Sequence, residues 1–320
     1  MSISVQAYQH GVYPRTEAVV AATRGLERGR TSREEVAAAV DEDERAFLAV
    51  QREAGLDFRS DGLLRWQDLF RPLVEATDGL EARTLIRWFD NNTFFRAPEL
   101  SGSLATLESL PSVFEGDGVV ERPRVASLPS PYLFSRAAHT TGERNPLMMD
   151  LTREVLRPLV TMLVERGYDL IHLQEPWLVY FGFDGAGWGD VEKAFVELRD
   201  AAGETPIVLH AYFGDAGPLI DRLRALPVDA VGIDFVQTDL DEVGSNWDTG
   251  CLVGCLDGRS SPVESTDGTV AFVERVAETL APTRLFLSSN CELEYLPVPV
   301  AEAKVRRLGD VAAAAKERLA

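Results

Sequence analysis

The feature that most limits how this chain can fold is a rhythm. Nine short apolar runs read as buried strands: SVQAY (4–8), LDFRS (56–60), TLIRWF (84–89), RVASLP (124–129), LIHLQEP (170–176), PIVLHAY (206–212), AVGIDF (230–235), CLVGCLD (251–257) and RLFLSSN (284–290). Between most of them lie longer stretches whose apolar residues recur at helical spacing. The stretch from Thr31 to Gly55 opens on Thr-Ser, carries a glutamate three residues after each, and closes on glycine, the pattern that starts and stops a helix. Two further helical stretches end at Gly167 and Gly203 and lead straight into runs, one precedes RLFLSSN, and a last one closes the chain. Strand–helix alternation along the whole length, without a glycine-rich phosphate loop, predicts one α/β domain over residues 1–320, a (β/α)8 barrel rather than an open doubly wound sheet. Nine runs for eight strand positions leave one over, either TLIRWF or SVQAY. The polar segments 101–124 and 241–250 read as excursions on one barrel face.

Barrel enzymes carry their chemistry at the carboxyl ends of the strands. Those ends hold Asp61, Gln174 and Glu175, His210 and Tyr212, Asp234, Asp257 and Arg259, and Asn290 and Cys291. Barrel closure would gather them around one mouth. Each also has a plainer reading: His210 as a hydrogen-bonded packing residue, Cys291 as a small hydrophobe, Glu175 as a charge satisfied by backbone amides. His210, Asp234 and Cys291 supply nitrogen, oxygen and sulfur. Together they would hold Zn²⁺ in an open three-ligand site, with the fourth position free for a substrate thiolate that the metal keeps deprotonated.

Bulk properties narrow the partners. A net charge of −19 excludes nucleic acid or an anionic membrane as the main partner, since both need a cationic face. Three cysteines, Cys251, Cys255 and Cys291, do not make a disulfide scaffold. The opening MSISVQAYQHGVYPRT lacks the apolar segment of a signal peptide, and no run approaches the ~20 apolar residues of a membrane span. A cytoplasmic protein with reduced thiols is expected.

Motifs spread over nearly the whole chain resemble the cobalamin-independent methionine synthase family. They are GVYPRT (11–16), REAGLDFRSDG, RWFDNNTFFRAPEL (87–100), LPSP (128–131), IHLQEPWL, GCLDGRSSPVE and LSSNCELEYLP, in the family's order. The family's long members join two barrels, of which the carboxyl-terminal one binds zinc and homocysteine. LPVDAVGIDF and SSNCELEYLP are closer to the amino-terminal barrel, which has no metal site. The resemblance implies a single-barrel methyltransferase, zinc-assisted, that passes a methyl group from a methylated folate or methylcobalamin to a thiol such as homocysteine. A corrinoid protein or second subunit is an implied partner. The family's zinc ligands are a His-x-Cys pair, a glutamate and a later cysteine; here the matching residues are His210, Tyr212, Asp234 and Cys291. Tyr212, Asp257 and Arg259 become the catalytic candidates. Tyr13, Asp61, Trp88, Gln174, Glu175 and Trp177 become the substrate-binding candidates, with Trp88, Trp177 and Phe94 as stacking surfaces for a pterin and Arg259 or Arg96 as anion partners. The family's carboxylates for the homocysteine ammonium are replaced by Leu63 and Gln174. The competing expectation is a non-catalytic or partner-dependent barrel that binds folate or a catalytic subunit.

Overall fold

The apolar runs become strands with almost no exposed face. In a computed structural model, which describes residues 3–105, 120–140, 144–183 and 187–320, the strands are β1 (Val5–Ala7), β2 (Leu80–Arg87), β3 (Phe94–Leu100), β4 (Val125–Pro129), β5 (Leu170–Gln174), β6 (Ile207–Ala211), β7 (Ala230–Asp234), β8 (Gly250–Leu256) and β9 (Leu285–Ser289). Seven of them form a parallel sheet in the order β1-β9-β8-β7-β6-β5-β4. Every residue of β4, β5, β6, β7 and β9 is buried, as a parallel sheet covered by helices requires. The first strand pairs with the last, Val5 opposite Leu285, so the sheet curls.

LDFRS is not a regular strand, yet it bonds to both free edges of the curl. The Asp57 N–H donates to the Ala7 carbonyl at 2.8 Å, the Arg59 N–H to Pro123 at 2.9 Å, and the Val125 N–H to Arg59 at 2.9 Å. TLIRWF is the supernumerary run. It lies in β2, which pairs antiparallel with β3 in a separate two-stranded ribbon bulged between Ala82 and Leu85. Of the expected excursion at 101–124, residues 106–119 lie outside the described residues. The 241–250 segment is tied down by buried Trp247, whose indole donates to the Val243 carbonyl at 3.0 Å.

The helices follow the sequence signals. Arg33–Glu53 starts from Ser32 through a complete capping box with Glu35. The helical stretch before Gly167 is interrupted: Arg144–Leu151 and Arg157–Glu165 flank a π-helical turn at Thr152–Leu156. Pro158 explains the widening, because its ring would clash with the carbonyl four residues back and it has no N–H to give. Among the described residues, no helix is long and apolar enough to cross a membrane.

Two apolar clusters result. The large one lies between sheet and helices. The small one fills the inside of the curl and takes one residue from each sheet strand or its end plus Phe58: Tyr8, Phe58, Val125, Leu170, Val208, Ala230, Leu252 and Phe286. Side chains two residues apart share a strand face. The positions above this layer are therefore His10, Ser127, His172, His210, Gly232, Gly254 and Ser288, and above those come Gln174, Tyr212, Asp234 and Asn290. That alternation delivers polar groups to the inside of the curl at its carboxyl end.

Candidate functional site

The second inner layer holds three imidazoles. His10 and His172 stack with ring centroids 4.2 Å apart, and His210 stands edge-on to both at 4.8 and 5.4 Å. All three are buried. Gly232 faces His210 across the β6–β7 pairing, and a Cβ there would lie 2.7 Å from the imidazole Cδ2, so only glycine leaves the ring its place. His10 Nε2 lies 3.3 Å from the Ser289 carbonyl, and His172 Nδ1 lies 2.9 Å from the Tyr8 hydroxyl. His10 Nδ1, His172 Nε2 and both His210 nitrogens have no hydrogen-bond partner among the described residues. Burial pushes the His10 imidazole down to about 4, and holds His172 and His210 well below the usual histidine range, with His10 adding to the effect on both.

Above the histidines lies an acidic, aromatic-walled recess. Glu292 Oε1 accepts from the Trp88 indole at 2.9 Å and from the Tyr295 hydroxyl at 2.5 Å, while Glu292 Oε2 is buried with no partner among the described residues. The Tyr212 hydroxyl donates to Gln174 Oε1 at 3.0 Å, and Gln174 Nε2 is unpartnered among the same residues. Gly11, with φ at +70°, closes this corner: a Cβ there would meet the Glu292 Cβ at 2.8 Å. A cavity of about 30 Å³ is lined by Asp68, Gln174, Glu292 and Glu294 together with Trp88 and Phe95. Burial raises the Glu292 carboxyl; burial and then the neighbouring Glu292 charge push Glu294 up to about 8.

The remaining sequence candidates are placed as follows. Glu175 is wholly engaged in bracing: the Ser130 hydroxyl and the Leu133 N–H (3.0 Å) donate to Oε2, and the Leu178 N–H (2.9 Å) donates to Oε1, which joins the starts of helices Pro131–Ala137 and Trp177–Tyr180. Asp61 and Asp257 accept from the N–H groups of Leu63 and Arg259 within their own turns, each at 2.9 Å. Arg259 reaches Asp90 at 2.9 Å and lies over the Phe213 ring at 4.9 Å, which ties the turn after β8 to the β2–β3 ribbon. Tyr13 stacks on Phe47 at 3.9 Å, away from the imidazoles. Trp177 joins Phe89 and Phe181 in an outer aromatic group. Arg96 is exposed and donates to the Arg83 carbonyl, and Phe94 is half exposed at the cavity's edge.

The expected zinc set is not brought together. Among the described residues, the one group of three or more His, Cys, Asp and Glu side chains whose ligand atoms all lie within 4.8 Å of one another is His10, His172 and His210. Asp234 is occupied elsewhere: Oδ1 accepts from Asn290 Nδ2 at 2.9 Å and from the Val236 N–H at 3.0 Å, and Oδ2 accepts from the Phe213 N–H at 3.0 Å. The Cys291 sulfur is packed under the turn after β8, where a Cβ on Gly258 would come within 2.8 Å of it, and burial raises its thiol well above the usual range. These residues do not fit the family's zinc. Sequence reasoning passed over His10, His172 and Glu292. For His172 a signal existed, since it shares a strand face with Gln174, whose cross-strand partner is His210.

Residues 64–281 match the family model described as "Cobalamin-independent synthase, N-terminal domain". The chain belongs to that family. Among curated synthase relatives, the 5-methyltetrahydropteroyltriglutamate–homocysteine methyltransferase of Herpetosiphon aurantiacus is 28% identical over 245 residues, covering 71% of this chain and 31% of the relative. The protein of the same name from Burkholderia thailandensis is 27% identical over 293 residues, covering 80% and 38%. The chain thus spans about a third of the length of these relatives. Among solved structures, a B12-independent methionine synthase from a Shewanella species superposes with a TM-score of 0.77 at 16% identity over 99% of both chains. A putative vitamin-B12-independent methionine synthase from Listeria monocytogenes gives 0.75 at 16% identity over 98% of both. At these identities the likeness establishes the fold of this synthase family member.

Proposed function

We propose that the chain is a methyltransferase of the cobalamin-independent methionine synthase type, which moves a methyl group from a methylated tetrahydropteroyl donor to the sulfur of an amino-acid thiol such as homocysteine. The donor is the kind named in the relatives, and methylcobalamin has no support of this sort. In this reading residues 1–320 are one domain, and residues 57–59 act as the eighth stave that closes a (β/α)8 barrel around the small inner cluster. Their bonds to both sheet edges support that closure.

One observation carries the proposal: Glu292, whose buried Oε2 has no hydrogen-bond partner among the described residues, lines a cavity together with Gln174 and Glu294. About 30 Å³ accommodates a group the size of a water or an ammonium. Crowded carboxylates select a cation, and a cation beside them favours their ionised forms. An α-amino acid offers an ammonium to Glu292 and a carboxylate to the unpartnered Gln174 amide. Glu292 thereby stands in for the family carboxylates replaced by Leu63 and Gln174. Tyr212 stays a neutral phenol because burial raises its pKa, and it fixes the Gln174 amide. Asp257 and Arg259 position the turn over the mouth, Trp88 orients Glu292, and no step is assigned to zinc on Asp234 and Cys291.

The test is methyl transfer from 5-methyltetrahydropteroyltriglutamate to L-homocysteine by the purified chain. Glu292→Gln removes one charge-assisted bond worth roughly 1.5–3 kcal/mol, so KM for the amino-acid thiol should rise about 10- to 150-fold. Affinity for the desamino thiol should not change. A chain that binds the methyl donor yet transfers to no thiol would return the non-catalytic reading. Binding of neither compound would overturn both.

A further inference from the structure

We propose that the turn-bearing half of the β2–β3 ribbon, residues 85–96, is a gate over the acidic recess, hinged at the bulge between Ala82 and Leu85 and latched by Trp88 on Glu292 and by Asp90 on Arg259. The gate rests on the methyl-transfer reading only for the ligand it admits, an amino-acid thiol.

Size requires a moving wall. The recess, about 30 Å³, takes one water-sized group. Pockets that enclose a small molecule run to about 300–1,000 Å³. A whole amino acid therefore reaches Glu292 only if one wall gives way. The walls differ in what holds them. Gln174 ends β5 and is paired on both sides, with Pro129 and with His210. Glu292 is wedged against Gly11. The ribbon supplies the other side through Trp88, Thr93, Phe94 and Phe95. Its bulge sets Arg83 and Thr84 against Ala97 alone, a break in the ladder at which a strand bends. Below the bulge the ribbon is pinned: the Ser101 N–H donates to the Gly79 carbonyl at 2.9 Å and the His139 N–H to the Pro98 carbonyl at 2.6 Å. Above it the tip is closed on itself, with the Trp88 N–H on the Thr93 carbonyl at 2.9 Å and the Asn91 N–H on the Trp88 carbonyl at 3.0 Å. The tip is tied to the body by the Trp88 indole, by the exposed Asp90–Arg259 pair and by the Arg96 N–H, which donates to Asp68 Oδ2 at 3.0 Å. Leu85, Ile86 and Phe94 are exposed and add little burial. Trp88 and Phe95 are buried, but both are recess walls, so the surface that opening uncovers is covered again by the entering ligand.

The test is hydrogen exchange on the full unliganded chain, read at the Arg96 amide, whose bond to Asp68 crosses from ribbon to body. Asp90→Asn removes the exposed latch, and exchange at Arg96 should quicken about two- to fivefold while the β6 amides stay unchanged. Stopped-flow association of L-homocysteine should quicken by a like factor, because an occluded site binds in proportion to its open population. Trp88→Phe loses the indole donor, keeps the aromatic bulk, and should add to both effects. The exchange result needs no ligand. A faster Arg96 amide in a chain that binds no L-homocysteine therefore upholds the gate and removes only the ligand assignment. An Arg96 amide unmoved in both variants would overturn the gate, as would equal acceleration in β6, which means general loosening of the fold.

Discussion

Two glutamates at strand ends show how little residue type says about role. Glu175 and Glu292 are both buried. Glu175 receives a hydroxyl and two helix-start amides, and so has become a brace. Glu292 keeps one oxygen bare beside Glu294. The Glu294 carboxyl, half-buried and pushed to about 8 against an ordinary 4.5, favours its protonated form in the fold. Its contribution to stability is present in full below about pH 4.5 and is lost as pH rises through about 8. Urea unfolding of the unliganded chain should therefore show stability falling between pH 5 and 9, with a smaller fall in Glu294→Gln. Equal slopes for the two proteins would refute that assignment.

At the scale of elements, local signals and tertiary demands divide cleanly. The Ser32 capping box is local: Ser32 Oγ accepts from the Glu35 N–H at 3.2 Å, and Glu35 reaches back to the Ser32 N–H at 2.7 Å. Ser32→Ala should cost about 1 kcal/mol in chemical denaturation, without altering any binding property. The β2–β3 ribbon is the opposite case. TLIRWF has the composition of a core strand, yet Leu85 and Ile86 are exposed. The ribbon's work is to carry Trp88 to Glu292 and Asp90 to Arg259. Nothing within six residues tells a strand of the parallel sheet from one arm of a ribbon, because both satisfy the same β-propensity.

For the whole molecule, the decisive region is the seam at residues 57–59. Phe58 packs edge-on to Tyr8 at 6.0 Å and tilts against Phe286 at 6.4 Å inside the curl. Phe58→Ala should cost about 3–5 kcal/mol. It should also speed amide exchange at Val125, which bonds across the seam, before exchange rises in β6 and β7. Uniform acceleration across the sheet would instead mean that the seam is not a separate weak point.

The sequence alone determined the strand–helix alternation, six of the seven parallel strands, the capping of Arg33–Glu53 and the polar character of the strand ends, while the choice between SVQAY and TLIRWF as the surplus run was left to the fold. These are set by patterns of a few residues acting on neighbours in the chain. Only the tertiary structure decided which polar groups meet. His10 and His210 lie 200 residues apart, and their meeting depends on the order and stagger of strands. Asp234 is likewise withdrawn from ligation by Asn290, a residue on another strand end. Strand register places a side chain to within one pleat, and one pleat separates a ligand from a brace.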